Sequence, residues 1–359
     1  MCGIAGAYFP ARGDGAAAVH VMCQRMRKRG PDAKGEWQDA QSGIFLGHRR
    51  LSIIDLDARA NQPMVSHDGR LVIVFNGEIY NYRELRAGLE AQGVRFRTTS
   101  DTEVILELFR RDGTGALPQL RGMFAIVIWD TQQRSLMVAR DPYGIKPLYV
   151  ARTAQGTLFA SQVKALLATG LVSKAREPAG FAGFYIWGSV PEPFTTYQDI
   201  VPVPAGSWLS ITEKGASVPV TYANVEAAWE RPQPISGLSL HVRQAVMDSV
   251  RAHLVADVPV GVLLSGGVDS GAIAAAMMEL GQPAEGITIA FSEFAGREQD
   301  EVPRAQQIAA YYGMRHSVRR VGRDEFLSDT GDILDAMDQP SIDGVNTWFA
   351  AKAVAERGY

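Results

Sequence analysis

Short β-rich apolar runs alternate with turn-forming residues through the first half of the chain. They predict strands at Cys2–Phe9, Gly43–His48, Leu71–Phe75, Met123–Trp129, Ser135–Ala139 and Leu148–Ala151. Between them lie helical segments at Ala16–Lys28, Tyr82–Gln92 and Thr102–Asp112, the last with Val104, Ile105, Leu108 and Phe109 on one face. The arrangement predicts stacked antiparallel sheets with helices outside them, an α+β domain. Apolar strand material continues to Ile211, so the first domain is expected to span 2–211. A linker at 212–235 follows, marked by Pro219, Pro232 and Pro234.

From Ser236 the period changes. Leu238, Val242, Val246, Val250 and Leu254 recur every fourth residue, which predicts one apolar helix face. A strand at Val258–Leu264, a glycine-rich loop, a helix at Ser270–Leu280, a strand at Gly286–Phe291 and a helix ending at Gly313 follow. This βαβ series implies an α/β domain over 236–359, with a parallel sheet covered by helices.

With 359 residues, 46% of them hydrophobic, the chain has material for two cores. A net charge of -3 and the lack of a Lys/Arg block argue against nucleic acid and an anionic membrane surface as partners. Only Cys2 and Cys23 are present, too few for a disulfide framework. No apolar run reaches the roughly 18 residues of a spanning helix, and no signal peptide is evident. A cytoplasmic protein acting on small molecules is therefore expected, with Cys23 as a packing residue in its helix.

Cys2 is different. Removal of Met1 would leave a thiol and an α-amine on one residue, with reference pKa values of about 8.5 and 7.7–8.0, so nucleophile and base come together. Further along, Asn76-Gly77-Glu78-Ile79-Tyr80-Asn81 supplies two donors for an oxyanion: the Asn76 side-chain amide and the Gly77 N–H. Glu78 and Asp101 offer carboxylates for an ammonium group, and Arg50 offers a fork for a carboxylate. Free glutamine carries both charges at its α-carbon. Taken singly, Asn-Gly also reads as a hairpin turn.

Together these residues make the chain resemble the class II, N-terminal-nucleophile glutamine amidotransferases, and specifically the glutamine-hydrolysing asparagine synthetases. The likeness is carried by Met1-Cys2-Gly3-Ile4, Arg29-Gly30-Pro31-Asp32, Arg50-Leu51-Ser52-Ile53, Asn76 to Asn81, Ser100-Asp101-Thr102-Glu103 and Arg140-Asp141-Pro142-Tyr143-Gly144-Ile145-Lys146-Pro147-Leu148. It implies an αββα sandwich with Cys2 as nucleophile and Asn76 and Gly77 as the oxyanion hole. Glutamine would be bound by Arg50, Glu78 and Asp101 with backbone help from Leu51, Ser52, Ile53 and Ile54. The Arg29–Asp32 and Asp141–Pro147 segments are read as shaping the site.

In the second half, Leu264-Ser265-Gly266-Gly267-Val268-Asp269-Ser270 lies between a predicted strand and helix, the setting of a phosphate site. Gly266 and Gly267 allow close approach of backbone N–H groups, and Ser265 and Ser270 carry hydroxyl donors. The loop resembles that of ATP pyrophosphatases, which cleave ATP between the α and β phosphates. By that likeness Asp269 holds Mg²⁺ on the pyrophosphate, Leu264 and Ile289 contact the nucleotide, and Asp300-Glu301 matches a further acidic pair that helix capping also explains. The substrates implied are glutamine, aspartate and ATP with Mg²⁺, without a prosthetic group, and a homodimer is left open. The family continues past Gln339-Pro340-Ser341 and the next helix into a strand and a second acidic loop, whereas this chain stops at Tyr359. An incomplete second domain is expected on that basis, and glutaminase activity without asparagine synthesis. Another carboxylate acceptor, such as a sugar acid on a surface polysaccharide, and a non-catalytic remnant are the competing readings.

Overall fold

The computed structural model describes residues 1–11, 13–229, 236–282 and 284–359, and divides into two compact units, 1–233 and 234–359. Pro232 and Pro234 of the expected linker lie outside the described residues.

The first unit contains strands β1 (Gly3–Tyr8), β2 (Ala33–Asp39), β3 (Ile44–Arg50), β4 (Met64–Val65), β5 (Leu71–Ile79), β6 (Gly122–Asp130) and β7 (Ser135–Arg140). It continues through β8 (Tyr149–Thr153), β9 (Gly156–Ala160), β10 (Ile200–Pro202), β11 (Ser207–Thr212), β12 (Gly215–Ala216) and β13 (Val220–Thr221). One antiparallel sheet has the order β10-β8-β9-β1-β3-β2 and the other β12-β11-β7-β6-β5-β4, with β13 also on β11.

Period-two alternation sorts side chains between two cores. In β1, Ile4 and Tyr8 pack between the sheets with Val72 and Val74 of β5 and Val127 and Trp129 of β6. Ala5, Ala7 and Phe9 face the opposite way, onto Val19, Met22 and Cys23 of the helix Gly15–Arg25. Cys23 is fully buried there, the packing role expected of it. The helix Asp101–Asp112 lies against β5 on the outside of the second sheet. Helix, sheet, sheet, helix is the αββα order.

Two differences from the sequence reading concern edges. β2 (Ala-Lys-Gly-Glu-Trp-Gln-Asp) lies outside the predicted strands: it alternates Ala33, Gly35 and Trp37 with polar residues, and as an edge strand it brings only Trp37 as a large apolar side chain onto the core. The compact unit also runs past Ile211: β12 and β13, on either side of Pro219, pair back onto β11.

The second unit has a parallel three-stranded sheet, β14 (Gly261–Leu263), β15 (Glu285–Phe291) and β16 (Arg315–Val321), in sequential order. Val262, Leu264, Ala274, Met277, Ala305 and Ala309 form its main core. The strand expected at Val258–Leu264 is only three residues long. The helix Leu238–His253 has no buried residue, and Leu238 and Val242 are 59% and 53% exposed. Its predicted apolar face is thus covered only near Val250 and Leu254. No helix among the described residues is long and apolar enough to cross a membrane.

Candidate active site

Cys2 stands one residue before β1, in step with Ile4 and Tyr8, so the pleat aims its side chain between the sheets. Asn76 of β5, in step with Val72 and Val74, does the same from the facing sheet. The two meet in a cavity of about 140 Å³ lined also by Arg50, Leu51, Ile53, Ile54, Gly77, Glu78, Asp101 and Lys146. Cys2 Sγ accepts the Leu51 N–H at 3.4 Å and lies 3.5 Å from the Leu51 carbonyl. Arg29 Nε donates to the Cys2 carbonyl at 2.5 Å, and Asp32 accepts the Ser52 N–H at 2.7 Å. The Arg29–Asp32 segment therefore ties down the chain end and the neighbouring loop.

Burial raises the thiol pKa, opposed by the Leu51 N–H and the nearby terminal amine. Burial also lowers the terminal amine, on Met1 in this chain, to about 6.

The oxyanion donors can be read from the ladder. Gly77 lies opposite Phe124, which spends its N–H and its carbonyl on Asp141, on the far side of β6. In an antiparallel pair a residue's N–H and C=O point the same way, so those of Gly77 turn away from β6. The two flanking N–H groups on that edge are taken, Phe75 by Gln62 Oε1 at 2.6 Å and Ile79 by Asp101 Oδ2 at 3.1 Å. The Gly77 N–H lies between them, facing the cavity edge. Asn76 is 1% exposed, and its Nδ2 is buried with no hydrogen-bond partner. An unpaired buried donor costs about 1–3 kcal/mol, a sign of a missing acceptor. Only glycine fits at 77, since a Cβ there would sit 2.1 Å from the Met123 carbonyl oxygen.

Arg50 departs from its expected role as an open fork. Nη1 donates to Asp57 O at 3.0 Å and Asn61 Oδ1 at 2.7 Å, and Nη2 to the carbonyls of Ile54 and Asp55. These acceptors are neutral, so a buried guanidinium beside the cavity has its charge uncompensated by any of them. Its donors organise the 51–57 loop while its charge still favours an anion. Asp55 holds this loop with a left-handed backbone (φ 53°), its carboxylate accepting the Asp57 and Thr99 N–H groups. Ser52 is outside the cavity lining, unlike the other residues expected to bind glutamine.

Asp101 begins its helix behind an N-cap, Ser100, and Glu103 accepts the N–H groups of Arg97 and Thr98. That variant of the capping box fixes the Asp101 carboxyl toward β5. Burial raises it to about 7, with Glu78 adding and the Ile79 N–H opposing. Gln62 has no signal in the sequence; Lys146 lies in the Asp141–Pro147 segment expected to shape the site, without a role of its own there.

In the second unit, a cavity of about 530 Å³ opens at the carboxyl ends of β14 and β15, lined by Leu264, Ser265, Ile289, Phe291, Phe294 and Asn346 among others. This is where open parallel sheets bind ligands. Gly266, Gly267, Asp269 and Ser270 stand outside that lining, at the start of the helix Val268–Glu279, which has no side-chain N-cap. The two serine hydroxyls are 2.7 Å apart, and Ser265 Oγ accepts the Gly267 N–H at 3.1 Å. They brace the loop, and the first N–H groups of the helix are left without a side-chain cap. Asp300 accepts the N–H groups of Gly296 and Val302, just ahead of the helix Val302–Tyr311, whose N-cap Glu301 makes no side-chain capping bond. Among the described residues no three metal-ligating side chains are grouped.

A family model described as "Glutamine amidotransferase domain" matches residues 1–223. The chain belongs to the glutamine amidotransferase family. A second model, "Asparagine synthase", matches residues 241–359. Asparagine synthetase [glutamine-hydrolyzing] 1 of Bacillus subtilis is 35% identical over 360 residues, covering 98% of this chain and 55% of the relative. Asparagine synthetase B [glutamine-hydrolyzing] of Escherichia coli is 37% identical over 255 residues, covering 71% and 40%. Amidase chry2 of Gibberella zeae is 29% identical over 354 residues, covering 92% and 51%. This amidotransferase chain spans about half the length of the curated relatives it matches.

Proposed function

We propose that the first unit hydrolyses glutamine to glutamate and ammonia, and that the ammonia serves to amidate an aspartate activated by ATP at the second unit. The single observation carrying the first half is the meeting of Cys2 with two unspent donors, Asn76 Nδ2 and the Gly77 N–H, in one small cavity. With Met1 removed, the α-amine takes the thiol proton and the thiolate attacks the amide carbon. The carbonyl oxygen becomes an oxyanion facing the two donors, and collapse expels ammonia, the amine returning the proton. Water then hydrolyses the thioester to glutamate. Glu78 and Asp101 would hold the substrate's ammonium, while Arg50 supplies positive charge for its carboxylate.

For the second half, the N-terminus of the helix Val268–Glu279 would take the pyrophosphate of ATP. Asp269 would meet the Mg²⁺ that ATP brings, and the cavity walls at Leu264 and Ile289 would receive the nucleotide. The products are asparagine, AMP and pyrophosphate. The relatives named asparagine synthetase favour aspartate over a sugar acid as acceptor.

Each half has its own assay. Glutamate release from glutamine alone tests the first unit, and aspartate-dependent exchange of labelled pyrophosphate into ATP tests the second. Glutamate release is expected in the first, and exchange in the second from a protein that spans the full length of the relatives; exchange driven by another carboxylate but not aspartate would overturn the acceptor assignment.

The Asp101 carboxyl, held near 7, gives a pH expectation. The charged form binds an ammonium, so kcat/KM for glutamine should fall as pH drops below about 7, approaching tenfold per unit. Asp101→Asn should lack this limb. A pH profile of kcat/KM in which both proteins share the limb near 7 would refute the role.

A further inference from the structure

Lys146 lines the Cys2 cavity and is 8% exposed, yet its ammonium makes no hydrogen bond or ion pair among the described residues. Its place is fixed by an unusually complete set of backbone contacts. Asp141, fully buried, accepts the N–H groups of Phe124, Tyr143, Ile145 and Lys146 at 3.0–3.1 Å. Arg140 Nε donates to the Lys146 carbonyl at 2.9 Å. The loop thus holds a cation at the cavity without a hydrogen bond or ion pair among the described residues, with Glu78 on the same lining as its main opposite charge. Burying an unpaired charge is costly, and it persists where the surrounding structure compels it and a function uses it.

The other charged or titratable groups around it are the thiol of Cys2, the terminal amine, Arg29, Arg50, Asp32, Glu78, Asp101 and Asp141. Glu78 is the nearest counter-charge in effect, followed by repulsion from Arg29 and attraction from Cys2. A positive charge on the lining of the same cavity as a thiol and an amine acts on both in the useful direction: it favours the thiolate over the thiol, and the neutral amine over the ammonium. We propose that Lys146 is a positioning residue for the proton shared by Cys2 and its α-amine, keeping the amine free to accept that proton and the thiol ready to release it near neutral pH. The inference rests on the glutaminase reading for its purpose, though not for its test. Burial lowers the pKa of Lys146; the Met1 amine, next in the chain to the Cys2 nitrogen, is lowered first by burial and then by Arg29 and Lys146.

The test measures thiol ionisation without any substrate turnover. The processed protein, its N-terminus verified by mass spectrometry, is alkylated with iodoacetamide across a pH series, and the Cys2 peptide is quantified. Lys146→Met and Lys146→Gln should both move the alkylation midpoint up by about one pH unit, and Lys146→Arg should restore it. In parallel, the limb of kcat/KM that reports amine protonation should move up in the neutral variants. A midpoint unchanged in both neutral variants, or one that the arginine variant fails to restore while its circular dichroism matches the parent, overturns the proposal. A protein that releases no glutamate but shows the shifted midpoints would instead sink the glutaminase reading and leave the role of Lys146 standing.

Discussion

Cys2→Ala is expected to reduce glutamine-dependent glutamate release to the assay floor, a loss of roughly 10⁶-fold by analogy with removal of other enzymatic nucleophiles. The cavity contains no second thiol, since Cys23 is buried on the opposite face of the sheet. Nor can an ordinary water take over, because the thiolate forms from a proton transfer within one residue. Cys2→Ser keeps the geometry and the amine but offers a hydroxyl that loses its proton far less readily, so a small residual rate is expected. Blocking the amine should be as damaging as removing the thiol. A verified, uncleaved N-terminal extension converts the amine to an amide, which accepts no proton at neutral pH. Glutamate release measured by a coupled assay decides the matter: Cys2→Ala at parental rate excludes the nucleophile, and full activity with the extension in place excludes the base.

Asn76→Ala is expected to lower kcat by about 10²–10³, roughly 2.7–4 kcal/mol of lost transition-state stabilisation, with KM little changed. The division follows from when the charge exists. Asn76 Nδ2 is unpaired in the resting protein and finds its full partner only when the glutamine carbonyl becomes an oxyanion. Asp101 faces a charge that glutamine carries from the start, so its loss should appear in binding. Removing the Asn76 amide also removes a buried unsatisfied donor, so stability should hold or rise slightly, which separates a catalytic loss from misfolding. Steady-state kinetics with a thermal melt on the same sample give both readings. A variant altered only in KM, or one that melts well below the parent, contradicts the assignment.

Much of this site was legible in the sequence because its chemistry is written in short local motifs. Cys2, Asn76-Gly77-Glu78 and Asp101 needed only their own neighbours to suggest roles, and five of the expected glutamine-binding positions besides these line the cavity or its loop. What sequence could not show was how hydrogen bonds are spent. Asn76-Gly77 has the composition of a turn, yet β6 on one side and the side chains of Gln62 and Asp101 on the other hold it in extended ladder geometry to Ile79. Arg50 reads as an open fork until four carbonyl and amide oxygens are found on it. Lys146 sits in a segment expected only to shape the site, yet its side chain lines the cavity. In the second unit the strand β16 (Arg-His-Ser-Val-Arg-Arg-Val) escaped notice because charged residues interrupt its apolar pattern. The helix Leu238–His253 went wrong in the other direction, its regular spacing predicting a burial that most of its face lacks.

β5 carries two separate codes on one backbone. Side chains at 72, 74 and 76 point between the sheets, while N–H groups at 75, 77 and 79 face the open edge. Both codes share a period of two, so a single inserted or deleted residue between Leu71 and Phe75 would exchange them together. The Asn76 amide would leave the cavity, the Gly77 N–H would turn into the ladder with β6, and Phe75 would be pushed among the inward-facing groups. Length variation is therefore confined to pairs of residues in this strand, whereas the β6–β7 hairpin at 131–134 lies at the other end of the ladder and bears no such restriction. The strand behaves as a vernier: its chemistry survives only at one setting, and adjacent settings reverse it.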